Sequence, residues 1–162
     1  MIEEERRQRN AERLTELYPT FRTRIASVID SLESHGIRPR IQDAWRSPVD
    51  QLRAFNSGHS KLKFGFHNVT ARDGSKEAVD MLDDNHPASE GREYLLHLAA
   101  AAEQQGLTTG IRWGLPRKLR DAIDTALTSQ NWKAPVKIGW DPTHVQPIGI
   151  TAAEAKKGKR PA

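Results

Sequence analysis

Val136-Lys137-Ile138-Gly139-Trp140-Asp141-Pro142-Thr143-His144-Val145-Gln146 is the stretch on which the fold turns. Alternating apolar residues predict short strands over 136–140 and 144–146, joined by a tight turn at Asp141-Pro142. Working outward, residues 78–82 form a short apolar run that predicts another strand. Residues 37–45 predict a further one, placed at an edge by Pro39, which has no N–H for a central ladder. Between the strands the spacing is helical. Phe21, Ile25, Val28, Ile29 and Leu32 recur with a period near 3.6, and Gly36 is a stop signal. Ser47-Pro48 opens a short helix that ends at Gly58, with Ser as cap and Pro at the first helical position. Residues 87–105 and 116–130 predict two more helices. Residues 59–76, rich in Gly, Ser, Asn and Lys, read as an irregular loop. The whole predicts a single α+β domain with a small, mainly antiparallel sheet and flanking helices.

The 162 residues suffice for one domain with its own core, and the absence of cysteine excludes disulfides and thiolate metal sites. Lys and Arg number 25 against 21 Asp and Glu, a net charge of +4. That excess suits polyanionic surroundings, nucleic acid or an anionic cell wall. Lys156, Lys157, Lys159 and Arg160 carry part of it, so 151–162 is expected to be a basic, disordered tail behind a domain at 1–150. Residues 1–18 read as a charged helix with Glu3–Arg7 and Glu5–Arg9 pairs on a solvated face. The N-terminus carries charge from Glu3 and lacks an apolar run, which predicts cytoplasmic synthesis without a signal peptide. No stretch is long and apolar enough to span a membrane.

Any metal site must use His, Asp or Glu. Among the six histidines, His35, His86 and His97 have ready structural readings at a helix end, in a turn and within a helix. His59 lies in the loop without an acidic companion. His67 and His144 differ. Asp80, a carboxylate within a short apolar strand, follows His67, with Asp83 and Asp84 close behind. Asp141 precedes His144 by three positions, on a turn entering a strand, a spacing that can aim both side chains into one cleft. Two imidazoles and one carboxylate are a common ligand set for catalytic zinc, with a fourth position open to water. Spacing alone leaves the plainer readings of these residues open.

Trp45-Arg46-Ser47-Pro48-Val49-Asp50-Gln51 resembles the strand-to-helix "YRS…Q" element of the LAS metallopeptidases. These comprise zinc D-alanyl-D-alanine carboxypeptidases, D-Ala-D-Ala dipeptidases and phage L-alanyl-D-glutamate endopeptidases. The family's later motifs follow in order: His67, then Ala78-Val79-Asp80, then Asp141-Pro142-Thr143-His144. The likeness covers residues 21–146. It implies the LAS/hedgehog-type fold and one zinc ion per chain, held by His67, Asp80 and His144. Asp141 would be the general base. Arg46 would stabilise the oxyanion, against the alternative of a surface arginine before a helix cap. Gly65 stands where the family carries a serine, and Ser75 offers a hydroxyl from the longer loop that follows. Trp113, in Gly110-Ile111-Arg112-Trp113-Gly114, resembles the Trp/Gly-rich stretch before the last motif and would line the cleft. Trp132 and Trp140 read equally well as core residues.

The resemblance implies a zinc-dependent peptidase that hydrolyses peptidoglycan stem peptides, of the phage endolysin kind. It would be made in the cytoplasm and act on the wall after release, with endopeptidase or carboxypeptidase specificity. A monomer with no membrane or specific nucleic-acid partner is expected. The alternative is a small basic nucleic-acid-binding protein without catalysis, using the Lys-rich tail. That tail lacks aromatic interleaving and any recognised nucleic-acid motif.

Overall fold

A computed structural model of the chain describes residues 1–43, 77–87, 91–149 and 154. Its elements run α1 (Glu3–Leu14), α2 (Pro19–Ser34), β1 (Pro39–Asp43), β2 (Val79–Asp83), α3 (Arg92–Gln104), β3 (Leu107–Gly110), α4 (Arg117–Thr128) and β4 (Asp141–Pro147). The strands form one four-stranded sheet in the order β1-β2-β4-β3, and each neighbouring pair is antiparallel. This is the α+β architecture expected from the sequence. Arg46, Ser47, Gly58, His59, Gly65, His67 and Ser75, the loop at 59–76, and the tail apart from Glu154 lie outside the described residues.

The apolar spacing of α2 places Phe21, Ile25, Val28, Ile29 and Leu32 in the core. Its end is a Schellman motif. Gly36 N–H donates to the Glu33 carbonyl (3.0 Å) and Ile37 N–H to that of Leu32 (3.1 Å). The motif needs a left-handed residue, which glycine supplies at φ +76°. Leu95, Leu96, Leu98 and Ala102 of α3 are buried with it against Ile41, Val79 and Met81 of the sheet. The Tyr94 hydroxyl donates to the Met81 carbonyl at 2.6 Å, so α3 is tied to β2 by a buried polar contact as well as by packing.

The N-terminal helix departs from the expected solvated face. Arg6 is 1% exposed and Asn10 5%. Both face the outer edge of β1, where an unpaired strand leaves backbone groups to satisfy. Arg6 Nη1 and Asn10 Nδ2 donate to the Pro39 carbonyl at 2.7 and 3.0 Å. The Ile41 N–H donates to Asn10 Oδ1 at 2.9 Å. Arg9 donates to the carbonyls of Ile41 (3.0 Å) and Gln42 (2.9 Å). Glu3 (2.6 Å) and Glu33 (2.9 Å) pair with the Arg6 guanidinium, so the charge is not left alone in the interior. Helix α1 thus completes the sheet edge with side chains where another strand would use backbone.

Two further expectations are corrected. Residues 136–140 do not form a strand. They lie against the turn after β3, making single bonds from Gly139 N–H to the Ile111 carbonyl and from Trp140 N–H to that of Trp113. On the side of β4 away from β2, the neighbouring strand is instead β3, directly after α3. The acidic run at 80–84 also divides. Asp83 is an odd number of positions from Asp80 and so faces the other side of the sheet, where its carboxylate accepts from the Asn85 N–H (3.0 Å). Asp84 is held by Arg38 (3.2 Å) and Arg40 (3.1 Å).

On α3 the His97 ring stacks on Trp132, with centroids 4.1 Å apart, and lies 5.1 Å from the His35 ring. Burial, and secondly the neighbouring His35, hold the His97 imidazole below the usual histidine range, with Glu93 opposing the shift. A base whose pKa is lower folded than unfolded takes up its proton first in the unfolded chain. Its contribution to stability is therefore present above the ordinary value of about 6.5 and is lost as pH falls below it. Replacing His97 with Phe keeps a ring on Trp132 and removes this proton. Urea unfolding of the two proteins should show the stability difference moving in the variant's favour from pH 7 to pH 5; a difference independent of pH would refute this assignment.

Candidate active site

Asp80 on β2 and His144 on β4 are direct cross-strand partners. Residues directly opposite in an antiparallel pair point to the same side, with Cβ atoms about 5 Å apart. Val79 and Val145, the next pair in register, are fully buried in the core. Asp80 and His144 consequently project from the opposite face. The sheet itself brings a carboxylate and an imidazole together there, with no loop needed to position either.

Asp141 joins them through an irregularity. In a regular strand, residues three apart lie about 10 Å from one another and face opposite sides. Here Asp141 Oδ2 is 3.9 Å from His144 Nδ1. The register of β3 against β4 explains it: Thr109 pairs with Val145, but the next residue, Gly110, pairs with Asp141. The intervening residues of β4 form a bulge, and Pro142 within it has no N–H for the ladder. The bulge does what the sequence assigned to a tight turn. It re-aims a side chain, as bulges beside active sites do.

Two glycines make this approach possible. A Cβ on Gly110 would sit 2.0 Å from the Asp141 carbonyl oxygen, and one on Gly139 would lie 2.5 Å from Trp113 N. In both cases the obstacle is backbone, which cannot swing aside. Gly110→Ala is expected to cost about 3 kcal/mol, the upper part of the overpacking range. Gly91→Ala serves as its control, since a Cβ at Gly91 meets nothing within 4 Å. Chemical denaturation of both variants checks this; wild-type stability of Gly110→Ala would show that the close approach is not required.

Trp113 forms the aromatic side of the site. Its ring lies 5.2 Å from that of His144 and 5.1 Å from that of Trp140. The turn that carries it is fixed from outside by Arg112, which pairs with Glu103 (3.0 Å) on α3 and Asp124 (2.8 Å) on α4. His144 is 4% exposed, and its Nε2 lies 2.7 Å from Gln146 Oε1. Gln146 was not singled out from the sequence. The available signal was its position two residues after His144 on a strand, which places both on one face.

Of the residues named from the sequence, Asp80, Asp141, His144 and Trp113 are therefore brought together. Arg46, His67 and Ser75 lie outside the described residues. Among the described residues, no group of three or more His, Cys, Asp or Glu is placed to hold a metal ion. Asp80 and His144 offer oxygen and nitrogen donors of the kind zinc takes, and a metal held between them would need a third donor from elsewhere. No helix of the described residues is long and apolar enough to cross a membrane.

Neither a protein-family model nor a curated protein matches the chain. Among solved structures it is similar to the L-Ala D-Glu endopeptidase ChiX of Serratia marcescens, with 18% sequence identity and a TM-score of 0.52 over 86% of each chain. The chain shares the fold of that endopeptidase.

Proposed function

We propose that this protein is a zinc-dependent peptidase acting on peptidoglycan stem peptides, and that the bond it cuts is L-alanyl-D-glutamate. The observation that carries the reading is the cross-strand pair Asp80–His144 with Asp141 brought to 3.9 Å from the imidazole by a bulge. It occurs in a fold shared with an L-Ala D-Glu endopeptidase, and the choice of bond rests on that likeness. In this account His67, Asp80 and His144 would hold the zinc, which when bound would supply a water of pKa about 7 and a polarised carbonyl. Asp141 accepts the proton of the attacking water and later passes it to the departing amine nitrogen. One water is consumed, the C–N bond breaks, and a carboxylic acid and an amine result. Arg46 stabilises the negative charge that develops on the carbonyl oxygen. Ser75 and Trp113 contact the substrate, Trp113 as an aromatic wall.

The experiment that tests this is chelation followed by metal return. The purified protein should contain about one zinc per chain, lose activity on cell walls when the metal is stripped, and regain it with stoichiometric zinc. Full activity in the metal-free protein would overturn the proposal.

A further inference from the structure

We infer that Gln146 is a positioning residue for His144: its side-chain oxygen accepts from Nε2–H and so leaves Nδ1 unprotonated, as the atom that would face the metal. This rests on the zinc reading above, and it names a residue and a ring atom that the reading does not require.

The argument begins with strand geometry. Residues 144 and 146 project from the same face of β4, and Nε2 of His144 is 2.7 Å from Oε1 of Gln146. That is the length of a good hydrogen bond. A neutral imidazole has one N–H and one lone pair, so the partner of one nitrogen dictates the chemistry of the other. The Gln146 atom that faces Nε2 is the amide oxygen, which can only accept, so Nε2 carries the proton and Nδ1 keeps the lone pair. Metal-binding imidazoles are commonly held in this way by an acceptor on the nitrogen away from the metal. The Trp113 ring, 5.2 Å from the imidazole, flanks it and limits its swing, so hydrogen bond and ring together define one orientation.

The test compares wild type, Gln146→Met and Gln146→Glu by competition for zinc with a chromophoric chelator, and reads the His144 ring by 15N NMR. Gln146→Met keeps the length and removes the acceptor. Its zinc affinity should fall roughly 10–100-fold, while the melting temperature of the metal-free protein stays near that of wild type. Gln146→Glu, a stronger acceptor, should bind zinc at least as tightly as wild type. In the zinc-loaded wild type the proton should sit on Nε2 and the metal-bound nitrogen should be Nδ1. Equal zinc affinity of wild type and Gln146→Met, or zinc on Nε2, would overturn the inference and leave the peptidase reading standing. A wild type that binds no zinc would overturn both.

Discussion

Asp141→Asn is expected to retain the metal and to lose on the order of 10²–10⁴-fold in the rate of stem-peptide cleavage, the usual worth of general acid–base catalysis. The substitution keeps the size and polarity of the side chain and removes its basicity. It leaves the backbone carbonyl of Asp141 where Gly110 allows it to pack, so the bulge persists. Asp141 Oδ2 stands 3.9 Å from the His144 ring, and the side chain is 35% exposed. It is therefore open to water and to a peptide while lying next to a proposed ligand. Zinc content and initial rates on purified cell walls measure the two halves of this prediction separately. Wild-type turnover would reject Asp141 as the base; loss of zinc would make it a ligand instead.

His144→Ala is expected to remove zinc almost completely, and activity with it. The effect should exceed the roughly 10–100-fold associated with an outer partner such as Gln146, because a donor atom itself is lost. His144 is buried between Trp113 and the Asp80 strand, so a substitute donor from solvent-facing side chains has little access. Asp80→Ala and His67→Ala should act in the same direction. Circular dichroism and thermal melting of the metal-free variants separate loss of the ligand from loss of the fold. Undiminished zinc in a folded His144→Ala protein would remove His144 from the ligand set.

The sequence made the helical half of the core legible because its signals are local. The spacing in α2 and the glycine that closes it depend on neighbours within a turn or two. The same holds for β2, where a short apolar run is enough. Three features depended on distant partners and were not legible. Arg6 and Asn10 look like surface residues until the outer edge of β1, with its unpaired carbonyl and N–H groups, is placed beside them. Residues 136–140 alternate like a strand, but Gly139 lies so close to the turn after β3 that only isolated bonds form. β3 itself, Leu107-Thr108-Thr109-Gly110, is too short to stand out after a helix.

The site was legible in its residue types and order more than in its geometry. An acid three positions before a histidine says nothing about whether their side chains meet. On a regular strand they would diverge, and only the register change between Thr109 and Gly110 opposite Asp141 brings them together. Asp83 and Asp84 show the converse. They sit close to Asp80 in sequence, yet one faces the opposite side of the sheet and the other is occupied by Arg38 and Arg40.

The measurement that bears most directly on the whole account is digestion of purified peptidoglycan by the zinc-loaded protein, followed by mass spectrometry of the fragments. The account predicts cuts confined to the stem peptide, with new L-alanine carboxyl and D-glutamate amino ends and intact glycan strands. Cuts between sugars, or no cleavage by protein that carries its zinc, would contradict it.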